Sequence, residues 1–183
     1  RRFVARDVIP VASQLEHADE FPADIVATMR ELGLFGVTIP EEYGGLGLDL
    51  PTYVEIVEEL VYGWMTLMGI VNTHTMAATL LMRHGNDEQK SRLLPSMATG
   101  EVRGAMSLSE PDAGSDTRNI ACKAVRDGDV YVISGTKAWV TNGELAGIVA
   151  LVAGTAEGVS TFVVEKEPGP AFEGITVSSH VGK

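Results

Sequence analysis

Two short segments of the chain carry the residue types best suited to chemistry. Residues 105–116 alternate apolar and hydroxyl side chains and then break at a proline into a glycine-containing turn. Residues 135–143 end in an Asn-Gly dipeptide, which is typical of hairpin turns, and a strand before it would place Trp139 and Thr141 on one face. An indole wall beside a hydrogen-bond donor suits a flavin, whose flat, electron-poor ring accepts hydride at a nitrogen that gains from such a donor. The pair therefore predicts a flavin site.

Each segment also has a simpler interpretation that the sequence leaves open. Residues 105–116 alone are compatible with an ordinary strand and turn. Trp139 could be a core tryptophan of a β domain, and Thr141 could be a β-forming residue on a wet face. The occurrence of both segments in one chain favours the flavin site over these interpretations.

Helical spacing of apolar residues predicts that a helical domain precedes the two segments. Five stretches show this spacing, at residues 1–16, 25–32, 53–61, 64–84 and 86–94. Gly33 is predicted to end the second helix. Asn86 and Gln89 are predicted to form a capping box, and Pro95 to lie just past the end of the fifth helix. We therefore predict an all-α domain over residues 1–100.

The sequence pattern changes after this domain. Runs of strand-forming residues follow, separated by Gly, Asp and Asn, at residues 130–133, 148–152 and 161–165. They predict a small antiparallel β-barrel or sandwich over residues 101–183. Together with the helical domain, this gives an α+β fold.

The composition limits the classes of partner. The 183 residues include 25 acidic and 14 basic side chains, and the net charge of -11 disfavours nucleic acids and anionic membrane surfaces. A single cysteine rules out an internal disulfide and fits a reducing compartment. The four histidines lack metal-ligand spacing, so no metal site is predicted. The longest apolar stretch, residues 64–82, contains Asn72 and His74 and predicts a buried core helix, not a membrane span.

Four segments in this order, at residues 33–45, 85–90, 105–116 and 135–143, resemble the acyl-CoA dehydrogenase family. The resemblance covers essentially the whole chain and matches the family's N-terminal helical domain and its middle β domain. Members usually carry a further C-terminal four-helix region, which is absent from this chain and normally holds the catalytic base. No catalytic residue is therefore assigned here. Because the chain begins at Arg1 without Met, we expect it to be trimmed.

The resemblance implies FAD as the cofactor and oxidation of an acyl-CoA thioester to the trans-2-enoyl-CoA, with an electron-transfer flavoprotein as electron acceptor. It implies eight cofactor-binding residues, which are Met106, Leu108, Ser109, Gly114, Ser115, Trp139, Val140 and Thr141. Ser115 is also implied to approach the acyl-CoA. The fourth helix borders the acyl pocket in the family, although a methionine stripe is more often part of a core. It adds four substrate-binding candidates, which are Met68, Gly69, Asn72 and Met76.

Two alternative functions stay open. One is a flavin oxidase of the same superfamily, similar to acyl-CoA oxidases, which passes electrons to oxygen. The other is a non-catalytic flavin-binding or structural subunit of a hetero-oligomer. The resemblance also implies fatty-acid β-oxidation, a homotetramer or dimer, and a cytoplasmic location in a bacterium or the mitochondrial matrix in a eukaryote. The 183-residue chain alone is expected to be inactive and to hold FAD poorly.

Overall fold

The computed structural model of the protein describes residues 1–178. The chain divides into two compact units. The first, Arg1–Val102, is helical, and the second, which begins at Arg103, contains the strands.

The first unit is built from five α-helices and two short helical turns. The α-helices are α1 (Ile9–Ala18), α2 (Ala23–Glu31), α3 (Leu50–Gly63), α4 (Met65–His84) and α5 (Asp87–Ala98). A π-helical turn, Val4–Val8, leads into α1, and a 3-10 turn, Glu41–Tyr43, precedes α3. Pro10 lies in the first turn of α1, directly after the π-helical turn, and the helical backbone continues through it.

Helix α4 lies in the core of this unit. Its buried side chains Leu67 and Val71 belong to one apolar cluster with Met29 of α2. His74 is fully buried as well, with its ring edge-on to Phe35 at a centroid distance of 5.2 Å, which agrees with the prediction of a core helix. No helix within residues 1–178 is long and apolar enough to cross a membrane.

The helix ends follow the predicted capping signals with one exception. The Asn86 side chain accepts the Gln89 N–H at 2.8 Å, and the Gln89 side chain accepts the Asn86 N–H at 3.0 Å, so the capping box is present. Pro95, predicted just past the end of α5, lies inside it instead. Proline removes one helical hydrogen bond, but Met97 and Ala98 are buried, and this burial stabilises the last turn.

The second unit is a mixed sheet centred on one strand. Its strands are β1 (Gly104–Ser107), β2 (Lys123–Asp127), β3 (Val130–Ser134), β4 (Ile148–Thr155) and β5 (Gly158–Glu165), with a separate pair β6 (Ala171–Phe172) and β7 (Ile175–Thr176). Strand β5 pairs antiparallel with β4 along its full length. On the opposite edge, β1 runs parallel to the first half of β4. Strand β2 meets β4 in parallel at Gly154 and forms an antiparallel hairpin with β3.

The predicted α+β fold, a helical domain followed by a β domain, is confirmed. One detail needs correction, because the sheet is mixed and not antiparallel throughout, and within residues 1–178 it does not close into a barrel. Parallel neighbours need a long connection, whereas turn residues indicate only local hairpins. The turn residues therefore indicated pairing between strands that are adjacent in sequence, such as β4 and β5, but they could not indicate that β1 pairs with β4.

Strand β4 is buried along most of its length, and all but two of its eight residues are buried. A continuous apolar run of this kind is typical of a strand covered on both faces. Pairing with this buried strand holds β1 in place, and β1 contains the first residues of the first motif segment.

Candidate functional site

The two motif segments lie side by side in the sheet unit. After β1 the chain leaves the sheet, and an isolated bridge between Glu110 and Ala113 closes a tight turn. The backbone N–H of Ala138 donates to the Ser109 carbonyl at 2.8 Å. The structure therefore joins the segments by a main-chain hydrogen bond.

A buried ion pair strengthens this junction. Lys137 Nζ lies 2.8 Å from Glu110 Oε1, and the two side chains are 8% and 4% exposed. The same ammonium donates to the Leu108 carbonyl at 2.9 Å. The Glu110 carboxylate also accepts the backbone N–H groups of Ala121 and Cys122. Both charges are thus hydrogen-bonded several times, as buried charges must be to offset their loss of water.

The environment keeps Glu110 ionised. Burial acts to raise the pKa of its carboxyl group, but the hydrogen bonds from Lys137 and from the two backbone amides outweigh burial, so the net pKa is lowered. A carboxylate that is held by a cation and two amides is a structural anchor and a poor proton acceptor.

A second buried lysine of the sheet unit bonds to backbone that lies outside both segments. Lys166, only 7% exposed, donates from Nζ to the carbonyls of Glu144 and Glu167, each at 3.0 Å. Burial lowers the pKa of Lys166, opposed by the nearby charge of Glu144.

The prediction of a strand at residues 135–143 is wrong. Residues 135–140 have no regular structure and residues 141–145 form turns. Strand β3 ends at Ser134 because Gly135, at φ +153°, turns the chain tightly past Cys122. The Asn-Gly dipeptide does form a turn, in which the Gly143 N–H donates to the Val140 carbonyl at 2.9 Å, but this turn does not join paired strands. Period-two alternation therefore does not place Trp139 and Thr141 on one face.

Trp139 nevertheless presents its ring outwards. Its side chain is 73% exposed, which contradicts the alternative of a core tryptophan. Its backbone has φ +59°, in the left-handed region that a bulky residue rarely adopts and that costs about 1–2 kcal/mol. The hydrogen bonds that surround it hold this conformation, with Ala138 bonded on one side and the Val140–Gly143 turn on the other. The result is an exposed aromatic surface on a fixed backbone.

The other cofactor candidates lie close by in sequence and differ in burial. Met106, Leu108 and Ser109 are half-buried at the end of β1, whereas Gly114, Ser115 and Thr141 are exposed on loops. Met106 and Leu108 pack against a small apolar cluster that contains Ile120. Val140 packs inwards against Ala105 and Val149, as expected for a residue that offers its backbone.

Gly114 has open space beside it. A Cβ added there would meet no atom of the residues described, its two chain neighbours apart, within 4 Å, and its φ lies outside the left-handed region. Packing within residues 1–178 does not require glycine at this position, and a ligand that approaches the backbone would explain the residue. The exposed indole, the loop hydroxyls and this open backbone fit a flat cofactor with a polar edge.

The four substrate candidates of α4 form one stripe on that helix. Met68, Gly69 and Asn72 are half-buried and Met76 is exposed. Asn72 accepts the Tyr53 hydroxyl at 3.2 Å and donates to Met76 Sδ at 3.7 Å, so part of the stripe is a short hydrogen-bonded chain. These four residues belong to the helical unit, and the fifth candidate, Ser115, belongs to the sheet unit.

Sequence reasoning missed Glu110, Lys137 and Tyr53. Lys137 is the only charged residue of residues 135–143, which was a usable signal. Glu110 could not be told from Asp112 and Asp116 in the same segment, because only the fold buries it. Among residues 1–178, no group of three His, Cys, Asp or Glu side chains could hold a metal ion.

Both units match models of known domains. Residues 1–101 match the acyl-CoA dehydrogenase N-terminal domain, and residues 105–182 match the acyl-CoA dehydrogenase middle domain.

Known proteins agree with this match. The chain is 37% identical to the short-chain-specific acyl-CoA dehydrogenase of Clostridium acetobutylicum, over 97% of this chain and 47% of that protein. A glutaryl-CoA dehydrogenase from Mycobacterium smegmatis in complex with FADH2 has a TM-score of 0.84 at 30% identity, over 90% of this chain and 42% of that chain. An acyl-CoA dehydrogenase complexed with FAD from Bacillus anthracis has a TM-score of 0.81 at 33% identity, over 91% and 29%. The chain spans about half the length of the curated relatives it matches. It belongs to the acyl-CoA dehydrogenase family.

Proposed function

We propose that the whole protein is an FAD-dependent acyl-CoA dehydrogenase that converts an acyl-CoA thioester to the trans-2-enoyl-CoA. The observation that carries this proposal is the exposed Trp139 ring on a backbone fixed against the end of β1. The solved relatives described with FAD and FADH2 support the choice of cofactor.

The residues of the sheet unit would bind and orient the cofactor. Bound FAD would supply the hydride acceptor of the reaction. Trp139 would cover an apolar part of the ring and exclude water, while the hydroxyls of Ser109 and Thr141 would donate hydrogen bonds to its polar edge. The open backbone at Gly114 would allow close approach of a ligand.

The proton acceptor of the reaction is proposed to lie outside residues 1–183. Glu110 is the one buried carboxylate within residues 1–178, and its ion pair with Lys137 and its two amide donors leave it unsuited to take an α-proton. We therefore assign no catalytic residue to this chain.

Partners and location follow from the same proposal. Electrons would pass to an electron-transfer flavoprotein, and the protein would act as a homotetramer or dimer in fatty-acid β-oxidation. Its location would be the cytoplasm of a bacterium or the mitochondrial matrix of a eukaryote. Release of peroxide under air during turnover would instead identify an oxidase, and a protein that binds FAD but is never reduced by acyl-CoA would be a non-catalytic subunit.

The test is an anaerobic titration of the whole protein. Denaturing release of the nucleotide from the purified protein should yield FAD. Short, branched and long acyl-CoAs should then bleach the flavin absorbance, and free coenzyme A, the control, should not. A properly folded preparation that contains no FAD, and cannot be loaded with it, would overturn the proposal.

A further inference from the structure

Glu110 and Lys137 form a buried charged pair, with side chains only 4% and 8% exposed, and no step of the proposed reaction uses them. Their contacts converge from three places in the sheet unit. Lys137 reaches the Leu108 carbonyl, and Glu110 reaches the backbone amides of Ala121 and Cys122. The pair thus connects both motif segments with the chain that enters β2.

Stability alone is a poor explanation for such a pair. Removal of two charges from water costs several kcal/mol per ion, and a well-packed apolar pair of similar volume is often as stable or more stable. An apolar pair, however, cannot reproduce the directional hydrogen bonds that the charged pair makes to the backbone. The ammonium and the carboxylate fix particular backbone groups at hydrogen-bond distance, whereas apolar contacts allow them to slide.

The fixed backbone groups adjoin the candidate flavin contacts. Leu108 and Ser109 immediately precede Glu110, and Trp139 follows Lys137 by two residues. Trp139 also holds an unfavourable left-handed φ, and such a conformation persists only where its surroundings determine it. Lys137 and the Ala138–Ser109 hydrogen bond are the contacts that lie directly before it.

We propose that Glu110 and Lys137 are positioning residues, which hold the Trp139 loop and the end of β1 in the arrangement that receives FAD. They act through Leu108, Ser109 and Trp139 and do not themselves transfer a proton. This inference rests on the proposed FAD-binding function.

The test compares three variants of the whole protein with the wild type. The double variant Glu110→Leu with Lys137→Met removes both charges and leaves no buried charge behind. Lys166→Met, the control, removes a buried ammonium from the same unit that does not contact the first segment. Glu110→Gln is isosteric and provides the measurement if the double variant does not fold. The thermal midpoint of each apoprotein, its FAD dissociation constant and the visible circular dichroism of bound FAD are measured.

We expect the apoprotein of the double variant to melt below the wild type, as Lys166→Met does, because both variants leave backbone groups without a hydrogen-bond partner. Unlike Lys166→Met, the double variant should also bind FAD about tenfold or more weakly and with an altered dichroism spectrum. Glu110→Gln should show the same loss of FAD affinity. Lys166→Met should lower the thermal midpoint without a comparable loss of affinity.

Wild-type FAD affinity and dichroism in the double variant, or in Glu110→Gln if the double variant does not fold, would overturn the inference while leaving the proposed function intact. Equal losses of FAD affinity in Lys166→Met would also overturn it, because the effect would then follow from general destabilisation. A wild-type protein that cannot bind FAD would overturn both the inference and the proposed function.

Discussion

Gly135 and Gly114, one in each motif segment, differ in the space that the fold leaves beside them. A Cβ at Gly135 would lie 2.7 Å from Cys122 Cα, so the fold demands glycine there. At Gly114 a Cβ would meet no atom within 4 Å from the described part of the chain beyond its two neighbours. Gly135 is therefore required for the close packing of the chain, whereas the open backbone at Gly114 is accessible to a ligand.

These surroundings predict opposite effects of the same substitution. Gly135→Ala should destabilise the protein by about 1–3 kcal/mol, because backbone atoms must move. Gly114→Ala should leave the free energy of unfolding within about 0.5 kcal/mol of wild type but weaken binding of FAD or acyl-CoA. Urea unfolding and ligand titration of both variants measure this. Similar losses of stability, or unchanged binding in Gly114→Ala, would contradict the expectation.

The exposed ring of Trp139 gives a second prediction. Trp139→Ala should raise the FAD dissociation constant by at least roughly 2- to 12-fold, since loss of an aromatic partner costs about 0.5–1.5 kcal/mol in addition to the lost contact area. The thermal midpoint of the apoprotein should change little, because the side chain is 73% exposed. Tyr62→Ala is the control, because Tyr62 is an aromatic residue that is 80% exposed and lies outside both segments. If both variants bind FAD like the wild type, Trp139 is not a cofactor contact.

Among the elements, the junction between the two segments depends on the ionisation of Glu110. The folded state lowers the pKa of this carboxyl group below its ordinary value of 4.5. As the pH falls, the unfolded chain therefore takes up this proton first, and acid favours unfolding. The stabilisation is complete above the ordinary value and is lost as the pH falls through the lowered one.

We therefore predict that the difference in the free energy of unfolding between wild type and Glu110→Gln becomes smaller as the pH falls into the acid range. The difference should be constant from about pH 8 to about pH 5 and should shrink below that, because glutamine does not titrate. Urea midpoints measured at intervals of pH provide the test. A difference that grows towards acid would mean that Glu110 is protonated in the folded protein.

The elements also differ in how far the sequence predicted them. The helices were predictable because apolar residues recur along them at helical spacing, and α5 carries its capping box in its own first residues. The segment at residues 135–143 was not predictable as an irregular loop, because Gly135, Lys137 and Ala138 shape it through contacts with Cys122, Glu110 and Ser109 that are distant in sequence. Trp139 was identified as a candidate site residue from its type, although the strand expected to present it does not form.

For the whole molecule, the isolated 183-residue chain offers apolar surface to a neighbour. Val125 and Val132 are paired across the β2–β3 hairpin and are 64% and 52% exposed, and Val130 beside them is 61% exposed. Exposed apolar strands of this kind promote association. The chain also covers only about half the length of its curated relatives.

The isolated chain is therefore expected to self-associate, to hold FAD poorly and not to dehydrogenate acyl-CoA. Light scattering after size-exclusion chromatography measures the first property, and dye reduction with short, branched and long acyl-CoAs measures the last. Turnover within about tenfold of the whole protein, a barrier difference of about 1.4 kcal/mol, would show that the catalytic base lies within residues 1–183.

The parallel pairing of β1 with β4 also sets an order of events during synthesis. The register joins Gly104 to Ile148, so the strand that leads into the first segment has no sheet partner until the ribosome has made β4. The helical unit brings together neighbours such as α3 with α4 and α4 with α5, and these short-range contacts form early. A nascent chain would thus carry folded helices while its first cofactor segment still lacked a sheet partner, and cofactor capture would follow the folding of the helical unit.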